Sequence, residues 1–236
     1  MQTVENAGTQ VTCRSCGASL TGNAPFCAAC GKVQPPGDGG YFDIFGLPRK
    51  LNIDLPALEK QFYRYSRKLH PDVYVRSSED EQQWSLAQAS LLNDAYRALK
   101  NPVERTKYLL RLEGVQFEDD RHQGDGAANP SKVPADLLEE VFELNMQLEE
   151  LRMAQKMGED DPQLRGDLMR SKNQFVAQLS SLDQEMSGLW TTWDAAVDKS
   201  NEAQMTIAKE KMTTLLQRRS YLENLVSDVN ETLGES

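Results

Sequence analysis

Residues 54–72 read DLPALEKQFYRYSRKLHPD, and they predict the fold of the middle of the chain. Asp54 followed by Pro56 is typical of a helix N-terminus. Apolar residues then recur at spacings of 3, 4, 3 and 4, which places them on one face of a helix. The helix should end at His70, because Pro71 disfavours helical geometry in the residue before it. The apolar face consists of Leu55, Leu58, Phe62, Tyr65 and Leu69.

A second amphipathic helix is predicted after this loop. Ser78 and Glu81 have the spacing of a capping box, which marks its start, and Asn101-Pro102 marks its end. The segment therefore predicts two antiparallel helices joined by His70-Pro71-Asp72. The apolar face of the second helix consists of Ala89, Leu92, Tyr96 and Leu99.

The first helix is basic on the side opposite its apolar face. Its basic residues occur at positions i, i+4, i+7 and i+8, which aligns them along one side of the helix. A row of positive charge steers an acidic partner and orients it, which raises the association rate more than the affinity. A solvated basic face beside an ordinary turn is the alternative. The residues are Lys60, Arg64, Arg67 and Lys68.

All four cysteines lie within the first thirty residues, as two C-x2-C pairs separated by ten residues. A tetrahedral zinc site needs four thiolates at about 2.3 Å from the ion. Gly17 and Gly31 follow the two pairs and allow the tight turns that bring both sulfurs of a pair to one ion. So short a segment cannot build a core of its own, so the metal would supply its folding energy. We expect one structural zinc ion, without a catalytic position, held by Cys13, Cys16, Cys27 and Cys30.

Other uses of these cysteines are two disulfides, a redox pair or an iron–sulfur centre. Nothing in the sequence indicates secretion, which disfavours disulfides. A redox pair is expected at the start of a helix in a βαβ unit, and the sequence has no such pattern. An iron–sulfur centre uses the same thiolate ligands and stays an alternative to zinc.

The composition excludes several classes of protein. The chain of 236 residues is 39% hydrophobic and 26% charged, with a net charge of −10. It has no run of about 18 apolar residues, so a membrane-spanning helix is not expected, and no signal or transit peptide is recognisable at its start. The negative charge argues against duplex DNA as a partner. Arg14 and Lys32 are too few basic groups to make residues 1–40 a nucleic-acid-binding module.

Charge and turn residues divide the chain. Residues 41–114 carry 12 basic and 10 acidic side chains, whereas residues 115–236 carry 12 basic and 24 acidic ones. The stretch QPPGDGG at 34–40 is typical of a linker. After it the pattern is helical throughout, so the fold class is all-α, with a small zinc module in front. We expect a zinc module at 1–34, a linker at 35–40, a helical hairpin domain at 41–114, a loop at 115–133 and a three-helix bundle at 134–233.

The first bundle helix, predicted from 134 to about 157, carries two apolar rows. One row alone suffices to pack against two other helices. The second row, Leu138, Phe142 and Met146, lies about 100° away and is interleaved with glutamates. We therefore expect it at the surface, as a protein-binding patch. A wide core stripe is the alternative. The core row is Leu137, Val141, Leu144, Leu148 and Leu151.

The hairpin domain resembles a J-domain. The resemblance rests on His70-Pro71-Asp72, on the basic helix before it, on YFDIFGL at 41–47 and on LNDAY at 92–96. It implies a surface that docks on a DnaK-class chaperone and stimulates its ATPase, formed by His70, Pro71, Asp72, Lys60, Arg64, Arg67 and Lys68.

No catalytic role is expected for His70. The other histidine, His122, falls in the predicted loop, and the sequence offers no nucleophile, base and orienting group in combination. The chain is therefore not expected to be an enzyme.

The zinc module, the hairpin and the acidic bundle together resemble an HscB-type co-chaperone of iron–sulfur cluster assembly, in its eukaryotic form. The resemblance extends from Cys13 to about Val229. It implies that the chain delivers an IscU-type iron–sulfur scaffold protein to a DnaK-class chaperone and so promotes cluster transfer. It also implies a location in the mitochondrial matrix, with a cytosolic form as the alternative. Nucleic acid and membrane are not expected partners, whereas self-association is left open.

The same resemblance places the scaffold-binding face on the first bundle helix and on one aromatic residue of the last. The chain differs from the family at two positions there, with Glu139 for an apolar residue and Met146 for an acidic one. By position, the face consists of Leu138, Phe142, Glu143 and Tyr221. The alternative function is a general J-protein for unfolded clients, whose typical Gly/Phe-rich segments and β-rich client domains are not seen in the sequence.

Overall fold

The computed structural model describes residues 11–20, 24–117, 135–159 and 161–234. The chain divides into two compact units, Met1–Leu112 and Glu113–Ser236. The prediction of an all-α fold is confirmed, since helices dominate both units. Within the described ranges, no helix combines the length and the apolarity that crossing a bilayer requires.

In its described residues, the first unit contains the cysteine pairs and five α-helices. Its only strands among the described residues, β1 and β2, are antiparallel and flank the first cysteine pair. A bridge between Phe26 and Val33 flanks the second pair in the same way. The elements are β1 (Val11–Thr12), β2 (Ser19–Leu20), α1 (Tyr41–Ile44), α2 (Leu55–Lys68), α3 (Pro71–Tyr74), α4 (Glu79–Lys100) and α5 (Pro102–Leu112).

Helices α2 and α4 form the predicted pair, with capped starts. The Asp54 carboxylate accepts a hydrogen bond from the Ala57 N–H, and the Ser78 hydroxyl accepts one from the Glu81 N–H. Leu55, the first residue of the predicted apolar face of α2, is 41% exposed, so the face reaches the core only at Leu58, one turn later. The fully or nearly fully buried side chains of the two helices include Leu58, Leu92, Ala95 and Leu99.

Two short helices complete this unit around the pair. Helix α3 occupies part of the connection that the sequence predicted as a loop, because Pro71 has a backbone geometry suited to the first position of a helix. Helix α1 buries Phe42 and Ile44. The ring of Tyr41 stacks on that of Tyr108 of α5, with 4.3 Å between the ring centroids.

The second unit is a helical bundle. After one turn of 3-10 helix it consists of α6 (Leu138–Lys156), α7 (Pro162–Asp198) and α8 (Glu202–Leu233). The Gly158 backbone has φ of 76°, a left-handed conformation that ends α6. The Asn201 side chain accepts a hydrogen bond from the Gln204 N–H and caps α8. The predicted loop at 115–133 lies almost wholly outside the described residues.

Polar contacts show the relative directions of the three helices in the bundle. At one level Arg218 of α8 pairs with Asp136, 2.7 Å away, just before α6, while Arg219 pairs with Asp183 of α7 at 2.8 Å. At the other end of α6, the Gln155 side chain donates to the Thr232 carbonyl. Helices α6 and α8 are therefore parallel, and α7 runs antiparallel to both. The predicted core row of α6 is buried: Leu137, Val141, Leu144, Leu148 and Leu151.

Candidate functional site

The four cysteine sulfurs lie together at the start of the first unit. The Sγ atoms of Cys13 and Cys30 are 3.6 Å apart, those of Cys16 and Cys27 are 3.8 Å apart, and all four lie within 4.8 Å of one another. Four thiolates around one tetrahedral ion with bonds of 2.3 Å would be about 3.8 Å apart. No pair forms a disulfide. The cluster therefore has the ligand set and the spacing of a metal site.

The backbone around each cysteine pair turns in the same way. The Gly17 N–H donates to the Cys13 carbonyl and the Gly31 N–H to the Cys27 carbonyl, both at 2.9 Å. Both glycines have positive φ, of 74° and 73°, which a side chain would disfavour. The expected role of Gly17 and Gly31 in the turns is thus seen in the geometry.

Electrostatics within the cluster also favour a cation. Burial raises the pKa of the Cys13 thiol, but hydrogen bonds from the N–H groups of Ser15 and Cys16 lower it by more. The pKa therefore falls below its ordinary value, to about 6. The Ala18 N–H lowers the pKa of the Cys16 thiol, but the sulfurs of Cys30 and Cys13 together with burial raise it by more, to about 12. Ionisation of one thiol therefore disfavours ionisation of its neighbour. A bound cation would relieve the repulsion between the thiolates, and its binding would release their protons.

The His-Pro-Asp loop lies exposed between α2 and α4. The His70 side chain caps α3, because its Nδ1 accepts a hydrogen bond of 3.3 Å from the Asp72 N–H. Nδ1 also lies 3.5 Å from the Asp72 carboxylate. On the inner side, the buried hydroxyl of Ser85 donates to the Leu69 carbonyl, which fixes the chain just before His70. His70 is therefore a brace of the loop, and Asp72 projects into solvent.

The four basic residues of α2 are exposed but have different surroundings. The Arg64 guanidinium lies 5.2 Å from the centre of the Tyr65 ring, and the Arg67 Nε donates to the Tyr63 carbonyl. The Lys68 Nζ lies 5.5 Å from the centre of the Phe26 ring, so this lysine faces the cysteine module. Lys60 lies at the far end of the row.

In the bundle, the second row of α6 lies at the surface. Leu138, Phe142 and Met146 are 49%, 68% and 56% exposed, and Glu143 is exposed beside them. Met153 and Met157 extend the row and are also exposed. We call these five apolar residues the α6 row. Exposed apolar side chains in such a series are typical of a protein-binding surface.

Tyr221 differs from the other predicted face residues. Its side chain is half-buried, and its hydroxyl is buried without a hydrogen-bond partner among the described residues. Burial raises the pKa of this hydroxyl above its ordinary value. The Asp136–Arg218 pair brings α6 and α8 side by side one turn away. The structure thus places Tyr221 near the start of α6 but does not expose it as it exposes Phe142.

Sequence reasoning missed the residues that join the cysteine module to the hairpin. The Lys32 Nζ lies 2.8 Å from a Glu81 carboxylate oxygen, and the Gln88 side chain donates to the Gln34 carbonyl. The Phe26 ring packs on the Tyr65 ring, with 5.8 Å between centroids. An aromatic residue directly before Cys27, in a segment with few apolar residues, was the one available signal.

The architecture to be compared with known proteins is a helical pair with an exposed His-Pro-Asp loop, followed along the chain by a three-helix bundle. No protein-family model matches the chain. Two examples of solved structures that share its fold are a human and a bacterial chaperone protein. Human co-chaperone protein HscB is 21% identical, with a TM-score of 0.63, over 93% of this chain and 97% of the human one.

Chaperone HscB from Vibrio cholerae is 22% identical, with a TM-score of 0.54, over 83% of this chain and 98% of the bacterial one. The HscB-type fold predicted from the sequence is therefore confirmed.

Proposed function

We propose that this protein is an HscB-type co-chaperone that binds an IscU-type iron–sulfur scaffold protein and delivers it to a DnaK-class chaperone. The hairpin would stimulate the ATPase of that chaperone, and α6 would hold the scaffold. The observation that carries the proposal is one chain with the HscB fold that exposes both a His-Pro-Asp loop and an apolar row on an acidic helix. The chain would act by binding, without catalysing a reaction itself.

The chaperone-docking role is supported by the charge and the rigidity of the hairpin. Lys60, Arg64 and Arg67 are exposed and would steer an acidic partner towards the loop. Ser85 and the His70 cap hold the loop in one shape before binding, so little conformational entropy would be lost on docking.

The scaffold-binding role is supported by the α6 row and its acidic rim. Phe142 is an aromatic anchor exposed on a helix, with Glu139 and Glu143 on either side. Binding energy concentrates in a few such anchors, whereas charged residues at the rim set orientation. We propose Leu138, Phe142 and Glu143 as the centre of the face, with Tyr221 in a supporting place.

For the cysteine cluster we propose a single structural zinc ion. A closed set of four thiolates suits Zn²⁺ and leaves no open coordination position for chemistry. The division into a zinc module, a hairpin and a bundle, and a mitochondrial matrix location, belong to the same proposal. Nucleic acid is not a proposed partner, since Lys32 pairs with Glu81 and Arg14 lies over the Trp84 ring.

The alternative is a general J-protein for unfolded clients. Met146, Met153 and Met157 favour it, because flexible methionine side chains adapt to many partners. One assay separates the two functions. The purified protein is titrated with a folded apo-scaffold and with a chemically denatured client, and the ATPase of a DnaK-class chaperone is measured with each. If the scaffold increases the ATPase rate synergistically with this protein and the denatured client does not, the proposal is supported. If only the denatured client does so, the proposal is contradicted.

A further inference from the structure

The cysteine module contacts the hairpin through both of its cysteine turns. Arg14, inside the first C-x2-C pair, has its guanidinium 5.6 Å from the centre of the Trp84 ring. At the second pair, Phe26 packs against Tyr65, and Lys32 forms the 2.8 Å ion pair with Glu81. The module is thus attached at several points rather than through its chain connection alone.

These contacts lie on the last turn of α2, directly before the His-Pro-Asp loop, and on the first three turns of α4. On α2 they involve Tyr65 and Lys68, in the last turn before His70. On α4 they involve Glu81, Trp84 and Gln88, at positions i, i+3 and i+7, which share one face of the helix.

The same part of α4 also holds the loop. Ser85 is next to Trp84, and its buried hydroxyl donates to the Leu69 carbonyl. Any movement of the first two turns of α4 therefore moves the hydrogen bond that fixes the start of the loop. The start of α4 therefore contacts both the module and the residue that precedes the loop.

The shape of the module depends on the ion it would hold. Its buried apolar side chains among the described residues are Cys13, Pro25, Cys27 and Val33, which are too few to form an independent core. Phe26 adjoins Cys27, and Lys32 lies two residues after Cys30. An ion that gathers the four sulfurs would therefore also set the positions of Phe26 and Lys32 against the hairpin.

We propose that the cysteine module is a metal-dependent brace of the His-Pro-Asp loop. Metal bound by the four cysteines holds Phe26 and Lys32 on α2 and α4, and through these helices it keeps the loop in one conformation. The inference goes beyond the proposed function, because it concerns the coupling between the metal and the loop whatever partner the loop engages.

Coupling of this kind is reciprocal. If metal binding stabilises the contacts with the hairpin, then removing those contacts from the hairpin side weakens metal binding by the same factor. A substitution on α4, far from the cysteines in the sequence, should therefore change the affinity of the module for Zn²⁺. A purely local zinc site predicts no such change.

The first measurement compares two double variants of the full chain for Zn²⁺ affinity, by competition with a coloured chelator. Glu81→Gln/Trp84→Ala removes two contacts with the module. Glu79→Gln/Leu86→Ala makes the same kinds of change on exposed positions of the same helix. We expect the first variant to bind Zn²⁺ about fivefold or more weakly than the wild type, and the second to bind it unchanged. Equal affinity in all three proteins would overturn the proposal.

The second measurement uses the wild-type protein, so it does not depend on the folding of a variant. Hydrogen exchange followed by mass spectrometry is recorded with Zn²⁺ and after chelation. We expect faster exchange at 65–74 and 79–88 after chelation, while peptides from α6, α7 and α8 serve as the internal control. Exchange that increases only within residues 11–34 would overturn the proposal. Neither measurement contains a chaperone or a scaffold, so a failure here is distinct from a failure of the proposed function.

Discussion

The hydroxyl of Ser85 donates a hydrogen bond of 3.2 Å to the carbonyl of Leu69, the residue that precedes His70. Both residues are buried, so water cannot replace this bond without cost. The bond joins the end of α2 to the second turn of α4 across the loop. The loop geometry therefore depends on a buried residue of α4 as well as on the proline within the loop.

Replacing Ser85 by Ala should weaken the hairpin. The Leu69 carbonyl would lose its partner in a buried place, which costs about 1–3 kcal/mol of unfolding free energy. Chemical denaturation followed by circular dichroism measures this loss. Ser90→Ala, on the exposed side of the same helix, is the matched control and should be neutral. Equal stability of the two variants would show that the Ser85 bond does not support the loop.

Replacing His70 by Gln should abolish stimulation of a DnaK-class ATPase. The helix pair does not depend on this exposed side chain, so the circular dichroism spectrum and scaffold binding should stay unchanged. The steady-state ATPase rate is the measurement. The other histidine offers a control, and His122→Gln should stimulate like the wild type. Full stimulation by the His70 variant would contradict the J-domain function.

Replacing Leu138 and Phe142 together by Ala should cost about 2–4 kcal/mol of scaffold affinity, because exposed apolar anchors carry most of an interface energy. Their exposure predicts little change in melting temperature. Titration calorimetry and a thermal melt give the two readings.

Leu144→Ala is the control for a core position, since Leu144 is 1% exposed. It should lower the unfolding free energy by about 2–5 kcal/mol. A large drop in melting temperature for the Leu138/Phe142 variant would mean that the row is core, and wild-type affinity would place the scaffold elsewhere.

The Asp136–Arg218 pair predicts a pH dependence of the bundle. The hydrogen bond from Arg218 lowers the pKa of Asp136 below its ordinary value. A carboxylate with a lowered pKa stabilises the folded state above its ordinary pKa, and this stabilisation is lost as the pH falls through the folded value. Between about pH 5 and about pH 2, the melting temperature of the α6–α8 bundle should fall more steeply in the wild type than in Asp136→Asn. Glu139→Gln, nearby and exposed, should follow the wild type; identical curves for all three proteins would exclude a contribution from the pair.

The cysteine cluster should hold one zinc ion per chain. Native mass spectrometry and elemental analysis measure the stoichiometry. Cys16→Ser should abolish tight binding, whereas Ser15→Ala should leave it intact, because Ser15 contributes its backbone N–H to the Cys13 sulfur. Iron with acid-labile sulfide in the purified protein would instead support the iron–sulfur alternative.

Much of the fold could be predicted because it depends on local patterns. The core row of α6, the caps at Asp54 and Ser78, and the turns at Gly17 and Gly31 each rest on residues a few positions apart. Helical periodicity and steric limits on the backbone act over that range, so the sequence alone indicates them. Leu55 is an exception to this success. Periodicity places it on the apolar face of α2, but periodicity does not show whether a neighbouring helix extends far enough to cover it.

The contacts of the cysteine module could not be predicted in this way. Lys32 and Glu81 are 49 residues apart in the sequence, and Gln34 and Gln88 are 54 apart. Nothing in a local pattern pairs one charged or amide side chain with another at such a distance. Burial of the Tyr221 hydroxyl likewise depends on how three helices meet, and not on the residues beside it in α8.

By itself the sequence determined the long helices, the four metal-ligand candidates and the position of His70-Pro71-Asp72, since these follow from the spacing of residue types along one chain. Only the tertiary structure decided that Lys68 faces Phe26 of the cysteine module, that Ser85 supports Leu69, and that the hydroxyl of Tyr221 is buried. The reason is physical. Side chains far apart in sequence are brought together by the packing of whole helices, and their final partners are set by the sum of many weak contacts.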